Sequence, residues 1–167
     1  MTRTFLSLGS NLGDRLAYLR AVVAALGRGP RIRVTGTSKV YETVPVEVEE
    51  EQPDYLNCVV GLECGIPAIE LLRYCQGVES ALGRERNEAG EKAPRTVDVD
   101  VLLFGEETIT DPDLSIPHAG IMRAFNLRGL ADIDVDLYIP QRGTVGELIA
   151  NAQDKGILTF GEADELC

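Results

Sequence analysis

The chain has no tryptophan, a single histidine (His118), and only four phenylalanines and five tyrosines among 167 residues. One imidazole cannot build a histidine-paired zinc site. Its cysteines, Cys58, Cys64, Cys75 and Cys167, show no Cys-x-x-Cys spacing. Three of them sit in apolar stretches, so they read as reduced core thiols of a cytoplasmic protein. Basic residues are also scarce: 16 Lys and Arg stand against 27 Asp and Glu, a formal net charge of −11. That balance argues against nucleic acid as the main partner, because phosphate backbones demand a basic face. No apolar run approaches the roughly 20 residues that span a bilayer. The apolar part of the start is too short for a secretory signal.

The remainder is ordinary for a globular chain, with 44% apolar and 26% charged residues. The length suits one domain, expected over residues 1–151. Periodicity fades over 152–167, which reads as a loosely held tail.

The most informative stretch runs from Ala93 to Phe104. It alternates with a strict period of two: Thr96, Asp98 and Asp100 on one face, Val97, Val99 and Val101 on the other. Leu102, Leu103 and Phe104 continue apolar, as a strand entering a core. Same-face residues of a strand are about 6.5–7 Å apart. Two carboxylates at that spacing repel unless a cation sits near both, and magnesium prefers oxygen ligands. Asp is a poor strand former, so two of them in a Val/Leu strand need a reason. Arg95 adds a fixed positive charge beside them, and a cation, a carboxylate pair and an arginine together suit a polyphosphate. A second alternating set, Asp132, Asp134 and Asp136, has no such frame and reads as a solvated connection.

The rest of the chain supplies the order strand, helix, strand, strand, helix, strand. Strands are expected over Thr2–Leu8, Arg31–Tyr41 and Tyr55–Cys64. Leu16, Leu19, Val22, Val23 and Leu26 mark a first helix ended by Gly27, with Asn11 as its candidate cap. Pro67 opens a second helix whose stripe is Leu71, Leu72, Cys75, Val78 and Leu82. This order predicts an α+β, ferredoxin-like βαββαβ core: an antiparallel-rich sheet with both helices on one face. A short strand near Ile109, a helix over Arg123–Ile133 and a capped helix near 145–151 follow. Long loops over 42–54 and 84–94 flank the carboxylate strand and read as binding loops. The turn Gly9 to Gly13 does not fit the phosphate-loop pattern, having no following lysine.

The stretch from Pro94 to Gly105 resembles the signature of the hydroxymethyl-dihydropterin pyrophosphokinases of folate biosynthesis. Ser7 to Arg15, Gln52 to Asn57, and Ile116 to His118 match the same family in order and spacing. The resemblance spans roughly residues 2 to 150. It implies magnesium-dependent transfer of pyrophosphate from ATP to 6-hydroxymethyl-7,8-dihydropterin, releasing AMP, by a monomer. It further implies that Asp98 and Asp100 hold two magnesium ions and that Arg84 and Arg95 serve the transferring phosphates. Tyr55 and Phe125 would stack on the pterin, Asn57 would read its edge, and Thr43 and Val46 would contact it. Asn11 would lie near the same pocket. Gln76, Glu79, Arg86, Arg95, Ser115, His118 and Arg123 would lie on the nucleotide side. The chain departs from the family at Lys92-Ala93, where members commonly carry Trp-Gly, and Ser115 replaces a threonine. These departures lead to an expectation of weaker ATP binding.

Overall fold

A computed structural model describes residues 1–44, 53–83, 97–152, 157–162 and 166. The chain opens with β1 (Thr2–Ser10), α1 (Arg15–Gly27), β2 (Ile32–Thr37), β3 (Val40–Thr43) and β4 (Tyr55–Cys64). It continues with α2 (Ala68–Ala81), β5 (Asp98–Phe104), β6 (Ile109–Thr110), β7 (Ser115–Ile116) and α3 (Ala124–Ile133). It closes with β8 (Tyr138–Ile139), β9 (Gly143–Thr144), α4 (Val145–Ala150) and β10 (Ile157–Gly161).

The main sheet has the order β10-β3-β4-β1-β5, and β2 also pairs with β4. Every pairing in it is antiparallel. With β2 and β3 counted as one strand, the first four strands take the expected ferredoxin-like arrangement. The break between β2 and β3 has a local cause. Ser38 Oγ accepts the Val59 amide at 2.8 Å, while the Ser38 amide donates to Val59 O at 2.8 Å. A side-chain hydroxyl thus replaces a backbone carbonyl in the ladder, and the strand expected over 31–41 is divided there.

Both sheet faces are covered. Leu6, Leu8, Cys58, Val60, Leu62, Val99 and Val101 point to the side of α1 and α2, meeting Leu19, Val22, Leu26, Leu71 and Cys75. Phe5, Val59, Leu102 and Leu103 meet Leu127 and Leu130 of α3 and Val145 of α4 on the other side. The two predicted helices therefore share one face, as expected, and α3 takes the second. Helix α3 packs tightly on the sheet at Gly129, where an added Cβ would lie 2.4 Å from Val59 Cγ2.

Three details differ from the sequence reading. The cap of α1 is Asp14, whose carboxylate accepts from the Ala17 amide at 3.1 Å. Asn11 is buried instead, donating to Pro53 O at 3.3 Å and so tying the β1–α1 turn to the start of β4. Residues after 152, expected to be loose, include β10 paired with β3 and a buried Leu166. Asp132 and Asp134 are engaged as well as exposed to water. Asp132 accepts from the Tyr41 hydroxyl and the Lys39 amide, and Asp134 pairs with Arg3 at 2.8 Å. Among the described residues, no helix is long and apolar enough to cross a membrane.

Candidate active site

Strand β1 carries Phe5, Ser7 and Gly9 on the α3 face, and its register sets their neighbours. Gly9 lies opposite Asn57 of β4 on one side and opposite Asp98 of β5 on the other. Ser7 lies opposite Val59 and Asp100. Paired residues of neighbouring strands share a face. Asn57, Gly9 and Asp98 therefore form one row, with Asp100 in the next. Neighbouring strands lie about 4.8 Å apart, so Asn57 and Asp98 start roughly 10 Å from each other. Between them glycine offers only backbone. An added Cβ at Gly9 would sit 3.0 Å from Asn57 Oδ1 and 3.6 Å from Tyr55 Cδ1. The row is therefore a flat floor with an amide at one end and a carboxylate at the other.

The amide end is well ordered by its neighbours. Asn57 is buried and donates through Nδ2 to Thr43 Oγ1 at 2.7 Å. Half-buried Tyr55 and buried Thr43 face each other across the β3–β4 pairing. Arg15 secures the adjoining backbone, bonding Asp54 O and Glu42 Oε2 at 2.8 Å each.

The carboxylate end lies on β5, the last strand of its sheet. Asp98 and Asp100 are half-exposed, while Val97, Val99 and Val101 are buried, as the alternation predicts. Two groups hold the strand along its edge. Glu79 of α2, only 3% exposed, accepts from the Val99 amide at 3.2 Å. The His118 amide donates to Leu102 O at 3.0 Å. Glu79 thus fixes the stretch between the two carboxylates, and its negative charge also helps to push the neighbouring Cys75 thiol up to about 12, after burial itself. Gln76, half-buried one turn earlier, accepts from Arg73 at 3.2 Å.

His118 follows a cis Ile116–Pro117 bond and turns its ring toward β5, with Nε2 3.6 Å from Asp100 Oδ1. Burial lowers its affinity for a proton, Arg123 lowers it further, and Asp98 opposes both. The balance favours the neutral ring, which can still donate from one nitrogen. Arg123, exposed, stands at the N-cap position of α3. Phe125 is half-buried in the first turn of that helix. Ser115 is exposed on β7, and with His118 it lines a cleft of about 280 Å³ between β6–β7 and the β8–β9 turn.

The structure thus brings Asp98, Asp100, His118 and Arg123 to one end of the row and Thr43, Tyr55 and Asn57 to the other. Val46, Arg84, Arg86 and Arg95 lie outside the described residues. A larger groove of about 690 Å³ runs between α1 and α2. It holds none of the predicted site residues, so charge rather than volume marks the site. Sequence reading placed Ser7 in a matching stretch and Gly9 in a turn without giving either a role, and it passed over Gly120 and Asn126. Asn126 was detectable as the one polar residue in the apolar stripe of α3.

Among the described residues, no three His, Cys, Asp or Glu side chains cluster as metal ligands. Two carboxylates on one face of a strand fit magnesium nonetheless, because that ion keeps several waters and takes its other ligands from substrate phosphates.

Comparison with known proteins identifies the family. Residues 5–135 match the family model described as 7,8-dihydro-6-hydroxymethylpterin-pyrophosphokinase. A Bacillus subtilis protein named 2-amino-4-hydroxy-6-hydroxymethyldihydropteridine pyrophosphokinase is 42% identical over 130 residues, which cover 77% of this chain and 76% of that one. A Methylorubrum extorquens protein of the same name is 39% identical over 158 residues, 94% of this chain and 98% of its own. Among solved structures, a Plasmodium falciparum HPPK-DHPS superposes with a TM-score of 0.70 at 14% identity. That match covers 89% of this chain and 45% of the solved chain, and it speaks to the fold alone.

Proposed function

We infer the activity from the family: this chain belongs to the 7,8-dihydro-6-hydroxymethylpterin-pyrophosphokinases. It is a transferase of folate biosynthesis, moving pyrophosphate from ATP to 6-hydroxymethyl-7,8-dihydropterin and releasing AMP. The hydroxymethyl oxygen forms a bond to the β-phosphorus, and the bond between that phosphorus and the α-phosphate oxygen breaks. The alcohol proton leaves to solvent or to a phosphate oxygen.

The observation that supports a division of labour is the row Asn57–Gly9–Asp98. A flat heterocycle fits over a glycine, with its polar edge on a buried amide and its hydroxymethyl directed toward the carboxylates. In this reading Asn57 and Thr43 recognise the pterin edge. Tyr55 and Phe125 supply its stacking faces, with Val46 a further contact. Asp98 and Asp100 hold two magnesium ions, which when bound neutralise charge on the transferred and leaving phosphates. His118, through a ring N–H, and Arg123 bind phosphate oxygens. Arg84, Arg86 and Arg95 add the fixed positive charge that a chain of net charge −11 must concentrate locally. Glu79 holds β5, and Gln76 and Ser115 lie toward the nucleoside. The protein works as a cytoplasmic monomer.

The deciding assay is AMP release from ATP and magnesium with and without the hydroxymethyl-dihydropterin. AMP formed only when the pterin is present supports the transfer. Pterin-independent AMP, or none at all, overturns it.

Gly9 offers a sharper test of the row. Gly9→Val places methyl groups where the floor meets Asn57 Oδ1 and Tyr55. Overpacking of that kind costs about 1–3 kcal/mol, so pterin affinity is expected to fall by roughly tenfold to a hundredfold. Nucleotide affinity should stay near the parent's. Fluorescence titration of the pterin alone, followed by calorimetry of ATP and magnesium, would separate the two. Equal losses for both ligands would contradict this placement of the pterin.

A further inference from the structure

We propose that Asn126 is a positioning residue for the nucleotide side of the site, fixing the tautomer and placement of His118 through Gly120. The proposal rests on the placement of His118 at the phosphates given above.

Four contacts carry it. The Ser7 hydroxyl donates to Asn126 Oδ1 at 2.8 Å. Asn126 Nδ2 donates to Gly120 O at 2.9 Å. The Gly120 amide donates to His118 Nδ1 at 2.9 Å. His118 Nε2 then faces Asp100 Oδ1 at 3.6 Å, and Asp100 lies opposite Ser7 in the β1–β5 register. The chain of contacts returns to the strand pair on which it began.

Chemistry fixes the direction of each link. Gly120 O can only accept, so the group facing it must be the NH₂ of Asn126, which leaves Oδ1 for Ser7. The Gly120 amide can only donate, so Nδ1 of His118 must present its lone pair. The neutral ring therefore carries its proton on Nε2, directed at Asp100 and the phosphate side. The Gly120 carbonyl also accepts from the Arg123 amide at 3.1 Å, and the Asn126 amide donates to Arg123 O at 3.0 Å. Both proposed phosphate ligands of this turn thus bond to Gly120, His118 through its amide and Arg123 through its carbonyl, and that carbonyl is held by the Asn126 side chain.

Asn126 and Ser7 are both buried, at 3% and 7% exposure. An apolar side chain would suit the surrounding core, which contains Val59, Leu127 and Leu130. A buried amide in that setting is costly unless its partners are supplied, and here they are. Room at the turn is also limited: a Cβ on Gly120 would lie 3.3 Å from His118 Nδ1 and 3.4 Å from Arg123 Cζ.

The single histidine makes the test direct. In the wild-type protein without ligands, at a pH where the ring is neutral, nitrogen-15 shifts of His118 should report one tautomer protonated on Nε2. In Asn126→Leu the shifts should move toward a mixture of tautomers. With substrates, KM for ATP should rise about tenfold, the scale of one lost hydrogen bond, while KM for the pterin holds. If Asn126→Leu does not fold, Ser7→Ala removes the first link with a smaller change and should move the same signals in the same direction. Unchanged histidine shifts together with an unchanged KM for ATP would overturn the proposal. A wild-type protein with no AMP release would overturn the functional reading instead, and the ligand-free histidine spectrum would still decide whether Asn126 sets the tautomer.

Discussion

Replacing both carboxylates of the edge strand, Asp98→Asn with Asp100→Asn, is expected to reduce AMP release by at least about 10²–10³-fold, the usual scale for losing one preorganised charge at a transition state. The fold should survive. Both side chains are half-exposed, the amides are nearly isosteric, and the strand is held through backbone groups, the Val99 amide on Glu79 and Leu102 O on the His118 amide. Circular dichroism and the melting temperature should therefore match the parent. Pterin binding, which the proposed arrangement centres on Asn57 at the other end of the row, should change little. ATP–magnesium binding should weaken sharply, and calorimetry would show it. Retained turnover in the double variant would remove Asp98 and Asp100 from the mechanism. Lost turnover with an equally large loss of melting temperature would assign them a structural role.

A second large effect is expected away from the carboxylate strand. Gly129→Ala would put a methyl carbon 2.4 Å from Val59 Cγ2 and 3.3 Å from Ser38 Oγ, well inside contact distance. Both neighbours are constrained, since Val59 belongs to a central strand and Ser38 is bonded into the ladder at the β2–β3 break. Helix α3 has to lift. Overpacking of a filled core costs about 1–3 kcal/mol, and a chain of this size loses roughly 2–4 °C of melting temperature per kcal/mol. A lifted α3 also carries Asn126 away from Ser7, so activity should fall by more than the loss of stability alone explains. Melting curves and the KM for ATP in the same variant would measure both. A variant as stable as the parent would mean that α3 shifts along the sheet without strain.

The carboxylate strand was legible because alternation is a local signal. Val97, Val99 and Val101 are buried and the two aspartates half-exposed, as a period of two requires. Strand β4 was equally plain, since Pro53 and Gly65 bound a mostly apolar run, interrupted at Asn57, and the strand occupies Tyr55–Cys64. The strand expected over 31–41 was located correctly as a region, but its division depends on Ser38 finding Val59, a partner 21 residues away. Strand β10 escaped because pairing with β3, rather than burial, makes it a strand. Leu158 remains 68% exposed, and no alternation distinguishes the segment. At the site, residue types announced the carboxylates and His118, whereas the Asn57–Gly9–Asp98 row depends on register between three strands. Asn126 could be noticed as a polar residue among apolar ones, but the job it does depends on a turn and a strand that sequence alone does not bring together.

Strand β1 is flanked by β4 on one side and β5 on the other along almost its whole length. Local opening of a protein spares elements that are bonded on both sides, and their amides exchange with solvent only when the whole molecule unfolds. Gly9 and Ser7 belong to such an element. On the timescale of a catalytic cycle the proposed substrate floor is a fixed reference surface, and adjustment to different ligands has to come from what surrounds it.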